Sequence, residues 1–173
     1  MFQQIRSHVA AAGAASLLGM FPEAALAQTI DERRERGAAV IRSLNNGMTQ
    51  STLEGMRREF PFLAEATEAY ALGDVWSRPG LDNRTRQLAA VAAFAAIGET
   101  AFMKVHATYA LNIGVSEDEL KEVIYMVTVP AGFPKAIAAS QVLSQLFKEQ
   151  RQASDKEPAE QNPATVTREE MRP

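Results

Sequence analysis

Apolar side chains along this chain recur every three or four residues, which is the spacing of amphipathic helices. No segment has a sustained alternation of apolar and polar residues, so no strand is predicted. Three segments, TIDE at 29–32, STLE at 51–54 and SEDE at 116–119, have the capping-box pattern that begins helices. The pattern predicts an all-α fold, a compact bundle of six or seven helices. The predicted helices cover residues 29–47, 51–60, 61–73, 82–98, 99–113, 116–129 and 134–150.

The helix predicted over residues 82–98 is apolar almost all round and rich in alanine. Asp82 suits its N-cap and Gly98 suits its end. Such a helix is buried between its neighbours, and its small side chains allow those neighbours to approach closely. The WSRPG segment at 76–80 is predicted to be a loop, and Pro130 is predicted to disrupt the sixth helix and start a break.

Both ends of the chain are predicted to lie outside this bundle. Residues 1–27 combine a basic start, an apolar run over 9–21 and an A-L-A cleavage box that ends at Ala27, which is the pattern of a secretory signal peptide. An uncleaved anchor and a buried N-terminal helix are the alternatives. Residues 151–173 are polar and contain few large apolar side chains, which predicts a disordered tail. The expected domain is residues 28–150, in a protein that is periplasmic or secreted.

The composition excludes several kinds of chemistry. The 173 residues include no cysteine, which removes disulfides, thiolate metal sites and thiol catalysis. Two histidines are too few to predict a histidine-built metal site, so no metal is expected. A formal net charge of -3, with 46% hydrophobic and 23% charged residues, is that of a globular domain without a nucleic-acid footprint.

His106 is the histidine that remains after the predicted cleavage. It lies on an apolar helix face, where a histidine is more often a core residue than a catalyst. Imidazole is nevertheless the side chain that moves protons near neutral pH without a large pKa shift. Glu99 lies two turns earlier on the same face, either as a favourable acid at a helix N-terminus or as a second catalytic group. His106 and Glu99 are therefore the candidate catalytic residues.

A cluster of three arginines, Arg78, Arg84 and Arg86, lies just before and within the start of the alanine-rich helix. One of them could hold a substrate carboxylate by a bidentate pair. The alternative is that they pair with acids or cap carbonyls at a subunit contact. Since Arg84 and Arg86 are two positions apart, they point to opposite sides of the helix and do not clamp one ligand together.

Two segments carry a resemblance to a known family. GDVWSRPGLDNRTRQLAAVAAFAAIG at 73–98 and VHATYALNIGVSEDELKEVIYMVTVPAGFP at 105–134 are similar to the carboxymuconolactone decarboxylase family. The resemblance covers roughly residues 30–147 and implies the all-helical fold that this family shares with alkyl hydroperoxidase D-like proteins. Those peroxidases carry a C-x-x-C-x-x-x-H motif, and alignment on His106 puts Glu99 and Phe102 at the two cysteine positions.

The resemblance also implies an activity: cofactor-free decarboxylation or isomerisation of a small carboxylated lactone or a related enolisable acid. His106 would then return a proton to carbon, and an arginine of the 78–86 cluster would hold a carboxylate. The family's trimers and hexamers imply a homo-oligomer. The alternative is a non-catalytic exported binding or scaffold protein that retains the fold. Neither a nucleic-acid partner nor stable membrane insertion is expected.

Overall fold

The computed structural model describes residues 28–160, so the predicted signal peptide and residues 161–173 lie outside the described part. That part contains seven α-helices and no strand, which confirms the all-α prediction. A π-helical segment (Thr67–Trp76) continues α3 without a break. The helices are α1 (Ile30–Leu44), α2 (Ser51–Glu59), α3 (Pro61–Ala66), α4 (Asn83–Ile97), α5 (Thr100–Asn112), α6 (Glu117–Ala131) and α7 (Phe133–Glu160).

Two glycines bring α1 and the π-helical segment into backbone contact. A Cβ atom on Gly37 would lie 2.0 Å from the backbone oxygen of Glu68. A Cβ atom on Gly73 would lie 2.0 Å from the backbone oxygen of Arg33. Since no real Cβ contact is that short, both positions require glycine for the two helices to pack as they do.

Charged side chains stabilise the same contact. Arg33 donates from Nε to both carboxylate oxygens of Asp74, at 3.0 and 2.8 Å. This hydrogen bonding holds the pKa of Asp74 below its ordinary value. Glu68 is almost fully buried and pairs with Arg57, and its other oxygen lies 3.5 Å from Nε of Arg34. The π-helical segment is therefore fixed to both α1 and α2.

The main hydrophobic core lies between α4, α5, α6 and α7. Val91, Met103 and Leu120 are fully buried at its centre. Alanines at the contacts between these helices, such as Ala95 and Ala107, are also fully buried, so the helices approach closely as the alanine-rich sequence predicts. This packing fixes α4 against α5, which is the contact that builds the candidate site.

Three predicted boundaries are wrong. The helix expected to end near Gly73 continues to Trp76, so Trp76 is helical rather than part of a loop. Pro130 lies within the last turn of α6, where its missing N–H removes at most one hydrogen bond, and Gly132, at φ 79°, makes the break. Helix α7 passes position 150, and Arg151 in this extension pairs with Glu117 at 2.7 and 2.8 Å.

One predicted helix cap is also wrong. Ser51 was expected to begin α2 with a capping box, but Gln50 is the N-cap and its side-chain oxygen accepts from the backbone N–H of Leu53 at 2.7 Å. The capping boxes at Thr29 and Ser116 form as predicted. No helix within residues 28–160 is long and apolar enough to cross a membrane.

Candidate active site

His106 lies on α5 between two aromatic rings. The ring of Phe94, from α4, stacks on the imidazole with centroids 5.1 Å apart. The indole of Trp76, from the end of the π-helical segment, stacks on it with centroids 5.5 Å apart. Tyr109, one turn further along α5, meets the imidazole edge-on at 6.3 Å. Three separate segments therefore enclose the imidazole in an aromatic environment.

A buried glutamine holds the imidazole. Nδ1 of His106 lies 2.8 Å from Oε1 of Gln87, which is fully buried on α4. An amide oxygen only accepts hydrogen bonds, so Nδ1 carries the hydrogen and donates it. In the neutral ring Nε2 is then the unprotonated nitrogen, available to bind a proton or accept a hydrogen bond.

Burial sets the charge of this imidazole. Desolvation lowers the pKa of His106 from its usual value to about 4, because a cation is poorly solvated between aromatic rings. Histidine is therefore neutral at pH 7 in the protein without ligand. A negative charge brought close to the ring would favour the imidazolium and raise the pKa of His106.

Several buried polar atoms around the imidazole lack a hydrogen-bond partner within the described residues. They are Nε1 of Trp76, Nε2 of Gln87 and the hydroxyl oxygen of Tyr109. A buried polar group without a partner costs roughly 1–3 kcal/mol. Three such groups around one half-buried imidazole form a set that a polar ligand could satisfy.

Trp76 also borders an open groove of about 500 Å³. Two arginines, Arg36 and Arg78, line the groove together with Asn83 from the first turn of α4. His106 is not among the lining residues, but Trp76 both lines the groove and stacks on the imidazole. Two positively charged side chains therefore line the same groove as Trp76, the residue that stacks on His106.

The three predicted substrate-binding arginines have different surroundings. Arg84 pairs with Glu119 and joins α4 to α6, and this pair with the Ser116 cap lowers the pKa of Glu119 to about 2. Arg86 donates to the backbone oxygens of Leu81 and Arg78, and so holds the loop before α4. The Arg78 guanidinium is exposed and has no ion pair within residues 28–160. Arg78 is the member of the cluster whose charge remains available to an anion.

Glu99 does not join this group. It is the exposed N-cap residue of α5, and its side chain makes no capping hydrogen bond. Among the described residues, Glu99 makes no hydrogen bond with His106, although the two are seven positions apart on nearly the same helix face. Within residues 28–160 no three His, Asp or Glu side chains cluster in a way that could hold a metal ion.

The sequence reasoning missed Gln87 and Arg36. Gln87 is a polar side chain at the N-terminal end of the buried face that Val91 and Ala95 continue, and its place on that face was the available signal for a buried functional group. Arg36 gave no such signal, because its place beside the groove depends on how α1 packs. There its Nε donates to the backbone oxygen of Gly73 at 3.1 Å.

Comparisons with known proteins find a matching family model and two related decarboxylases. The model of the carboxymuconolactone decarboxylase family matches residues 61–145, a range that contains His106, Gln87 and Arg78. The chain is 32% identical over 121 residues to a 4-carboxymuconolactone decarboxylase of Acinetobacter baylyi, a match that covers 69% of this chain and 90% of that protein. It is 35% identical over 89 residues to a nitrosuccinic acid decarboxylase of Metarhizium robertsii, covering 49% of this chain and 61% of that protein.

Proposed function

Since this chain belongs to the carboxymuconolactone decarboxylase family, we propose that it is a cofactor-free decarboxylase of a small dicarboxylic acid, with His106 as the proton donor. One observation carries this proposal. Within residues 28–160, a half-buried imidazole lies among polar atoms that have no hydrogen-bond partner, and it stacks on Trp76, which lines a groove together with an arginine that makes no ion pair. The two relatives support the reaction class, because both are named as decarboxylases.

The relatives' substrates share a chemical feature. Each is a dicarboxylic acid in which a lactone or nitro group can accept the electron pair that the departing carboxylate leaves. When the bond to the carboxylate breaks, CO2 departs and this pair spreads onto an oxygen of the electron sink. A proton must then return to carbon. The substrate supplies the electron sink, so the protein needs only to bind, stabilise charge and donate a proton.

His106 suits the protonation step once substrate is bound. The pKa of the free imidazole is about 4, so the ring is neutral before binding. A bound dianion favours the imidazolium by direct attraction. The proton then taken up lies on Nε2, because Nδ1 already donates to Gln87. Transfer of that proton to carbon returns the ring to its neutral form.

Arg78 suits the binding of the carboxylate that remains in the product. Its guanidinium lies beside the groove and is not engaged by an acid within the described residues. The N–H of Trp76 and the O–H of Tyr109 are candidate donors to the oxygen on which negative charge develops. Arg84 and Arg86 have structural partners and serve the fold in this proposal.

The test is to incubate the purified protein with 4-carboxymuconolactone and, separately, with nitrosuccinate, and to measure the CO2 released. Turnover of either acid at a rate far above that in buffer supports the proposal. If neither acid turns over or binds in the groove, the alternative holds, namely a non-catalytic binding or scaffold protein with the same fold.

We also propose that the chain forms a closed homo-oligomer, a trimer or hexamer. Large apolar side chains are exposed near the turn between α4 and α5 and near the turn between α6 and α7, and Lys135 joins these turns by donating to the backbone oxygen of Ile97 at 3.2 Å. The exposed residues are Ile97, Phe102, Met126, Val129, Phe133 and Ile137. Such a surface is typical of a protein interface. A monomer mass by light scattering at micromolar concentration would contradict the proposal.

Export is the remaining proposal. The basic start, the apolar run and the cleavage box at Ala27 support removal of residues 1–27 and a periplasmic or secreted protein. N-terminal sequencing of the protein from its native host should begin at Gln28. A soluble cytoplasmic protein that retains Met1 would show that the segment is no signal peptide.

A further inference from the structure

We propose that Gln87 is a positioning residue: its side-chain oxygen keeps a hydrogen on Nδ1 of His106 and leaves Nε2 as the atom that exchanges a proton with the substrate. The role of Nε2 in turnover rests on the proposed function. The choice of tautomer rests on the hydrogen bond alone and is measured without any substrate.

The geometry favours a fixed imidazole. Phe94 and Trp76 stack on the ring and hinder the rotation about Cβ–Cγ that would turn it out of its plane. Of the two ring orientations related by a flip about that bond, the 2.8 Å contact from Nδ1 to Oε1 of Gln87 selects the one with Nδ1 toward the glutamine. Gln87 is itself fully buried on α4, so its own side chain has little room to move. Together these contacts aim Nε2 in one direction.

The amide orientation matters for the chemistry. An amide oxygen accepts from Nδ1–H in both the neutral ring and the imidazolium, so the contact survives protonation of Nε2. An amide N–H facing Nδ1 would lose its acceptor when the ring becomes a cation. A proton donor that cycles between the two forms therefore needs the oxygen of Gln87 toward Nδ1, as the structure has it.

Glutamine also fixes the imidazole without adding charge. A carboxylate at position 87 would attract the imidazolium and raise its pKa. Among the side chains that contact the imidazole, Tyr109 is the titratable one, and burial raises the pKa of its hydroxyl. With Trp76, Phe94 and Gln87 uncharged, the charge of His106 then responds mainly to the bound ligand.

The direct test is nitrogen NMR of the full chain at pH 7, labelled at histidine. The protein has two histidines, and a His8→Gln variant assigns the remaining signal to His106. We expect a protonated Nδ1 and an unprotonated Nε2, the tautomer that free histidine disfavours. A His106 signal with hydrogen mainly on Nε2 would overturn the proposal, whether or not the protein has activity.

Variants at position 87 test the consequence for turnover. Gln87→Leu should abolish the tautomer preference and lower kcat at least about tenfold with KM little changed, because a histidine in the wrong tautomer is a poor proton carrier. Gln87→Glu should raise the pKa of His106 by about one to three units and move the pH profile upward with it. Gln145→Leu, at an exposed glutamine of α7, is the matched control and should change neither kcat nor the pH profile.

The outcomes separate the two proposals. If no acid is turned over but the spectrum shows the Nδ1–H tautomer, the positioning by Gln87 stands and the proposed function falls. If the protein is active and Gln87→Leu, folded by circular dichroism, keeps its kcat and pH profile, the positioning role is wrong. Should Gln87→Leu fail to fold, the wild-type spectrum and the pH profile of Gln87→Glu decide.

Discussion

The indole ring of Trp76 stacks on the imidazole of His106, with centroids 5.5 Å apart and planes inclined by 25°. One face of the candidate site is therefore built by a residue that also lines the groove beside Arg78. Any movement of the π-helical segment would change the imidazole's surroundings and the groove together. The contacts of Asp74 and Gly73 with α1 fix that segment and so serve the site from a distance.

Replacement of His106 separates catalysis from packing. His106→Gln keeps a similar size and a hydrogen-bonding group but removes the proton that titrates. Positioned acid–base groups contribute about 10²–10⁴-fold in rate, so turnover should fall at least about a hundredfold. The melting temperature should change little. The measurement is kcat with the best substrate found, together with a thermal melt of the same preparation.

The opposite result would assign His106 to the core. Turnover would then remain, and the free energy of unfolding would fall by roughly 0.5–3 kcal/mol, as it does for an ordinary core substitution. The two outcomes move different quantities, so one variant decides between them.

The arginines provide a matched pair of variants. Arg78→Gln should lower kcat/KM by about 10–150-fold, the equivalent of a charge-assisted hydrogen bond of about 1.5–3 kcal/mol, with the fold intact. Arg84→Gln should leave kcat/KM unchanged and lower stability only slightly, because its pair with Glu119 is exposed. Steady-state kinetics and urea unfolding check both. A larger kinetic loss in Arg84→Gln than in Arg78→Gln would reverse the assignment.

The sequence predicted part of this site and could not predict the rest. His106 stood out because it is the one imidazole outside the predicted signal peptide, and the arginine cluster stood out as a local charge run. Which arginine is available depends on contacts far away in the chain: Glu119 engages Arg84 across 35 positions. Gln87 lies 19 positions before His106, and their hydrogen bond exists only because α4 packs against α5.

More of the fold than of the site could be predicted from the sequence, because helix starts depend on local chemistry. The caps at Thr29, Asp82 and Ser116 form as the sequence indicates. The extension of α3 to Trp76 was missed, because a π-helical segment has no local sequence signal and depends on packing against α1. The length of α7 was missed for a similar reason, since its pair with Glu117 is a tertiary contact.

Replacing Gly37 and replacing Gly55 by alanine should change the free energy of unfolding in opposite directions. A Cβ on Gly37 meets the backbone of Glu68 at 2.0 Å, so Gly37→Ala should destabilise the fold by about 1–3 kcal/mol or more. A Cβ on Gly55, within α2, meets nothing within 4 Å, so Gly55→Ala should stabilise the helix by about 0.8–1.0 kcal/mol. Urea unfolding measures both, and equal effects would show that α1 and the π-helical segment can separate without cost.

The buried imidazole makes stability depend on pH in a defined window. The pKa of His106 falls from 6.5 in the unfolded chain to about 4 in the folded protein. Between these values the unfolded chain binds more protons, so the free energy of unfolding decreases as the pH falls. From pH 7 to pH 4.5 the loss attributable to His106 should be about 2–3 kcal/mol. Carboxylates with lowered pKa, such as Asp74 and Glu119, reduce stability mainly below their ordinary pKa values of 3.8 and 4.5, which leaves the upper part of the window to the imidazole.

The measurement is urea unfolding of the wild type and of His106→Gln at pH 7, 6, 5 and 4.5. The difference between the two curves should appear below pH 6.5 and grow toward pH 4.5, with the wild type losing more stability than the variant. Parallel curves would mean that the imidazole is solvated in the folded protein, and the neutral, ligand-responsive His106 on which the proposed proton transfer depends would be wrong.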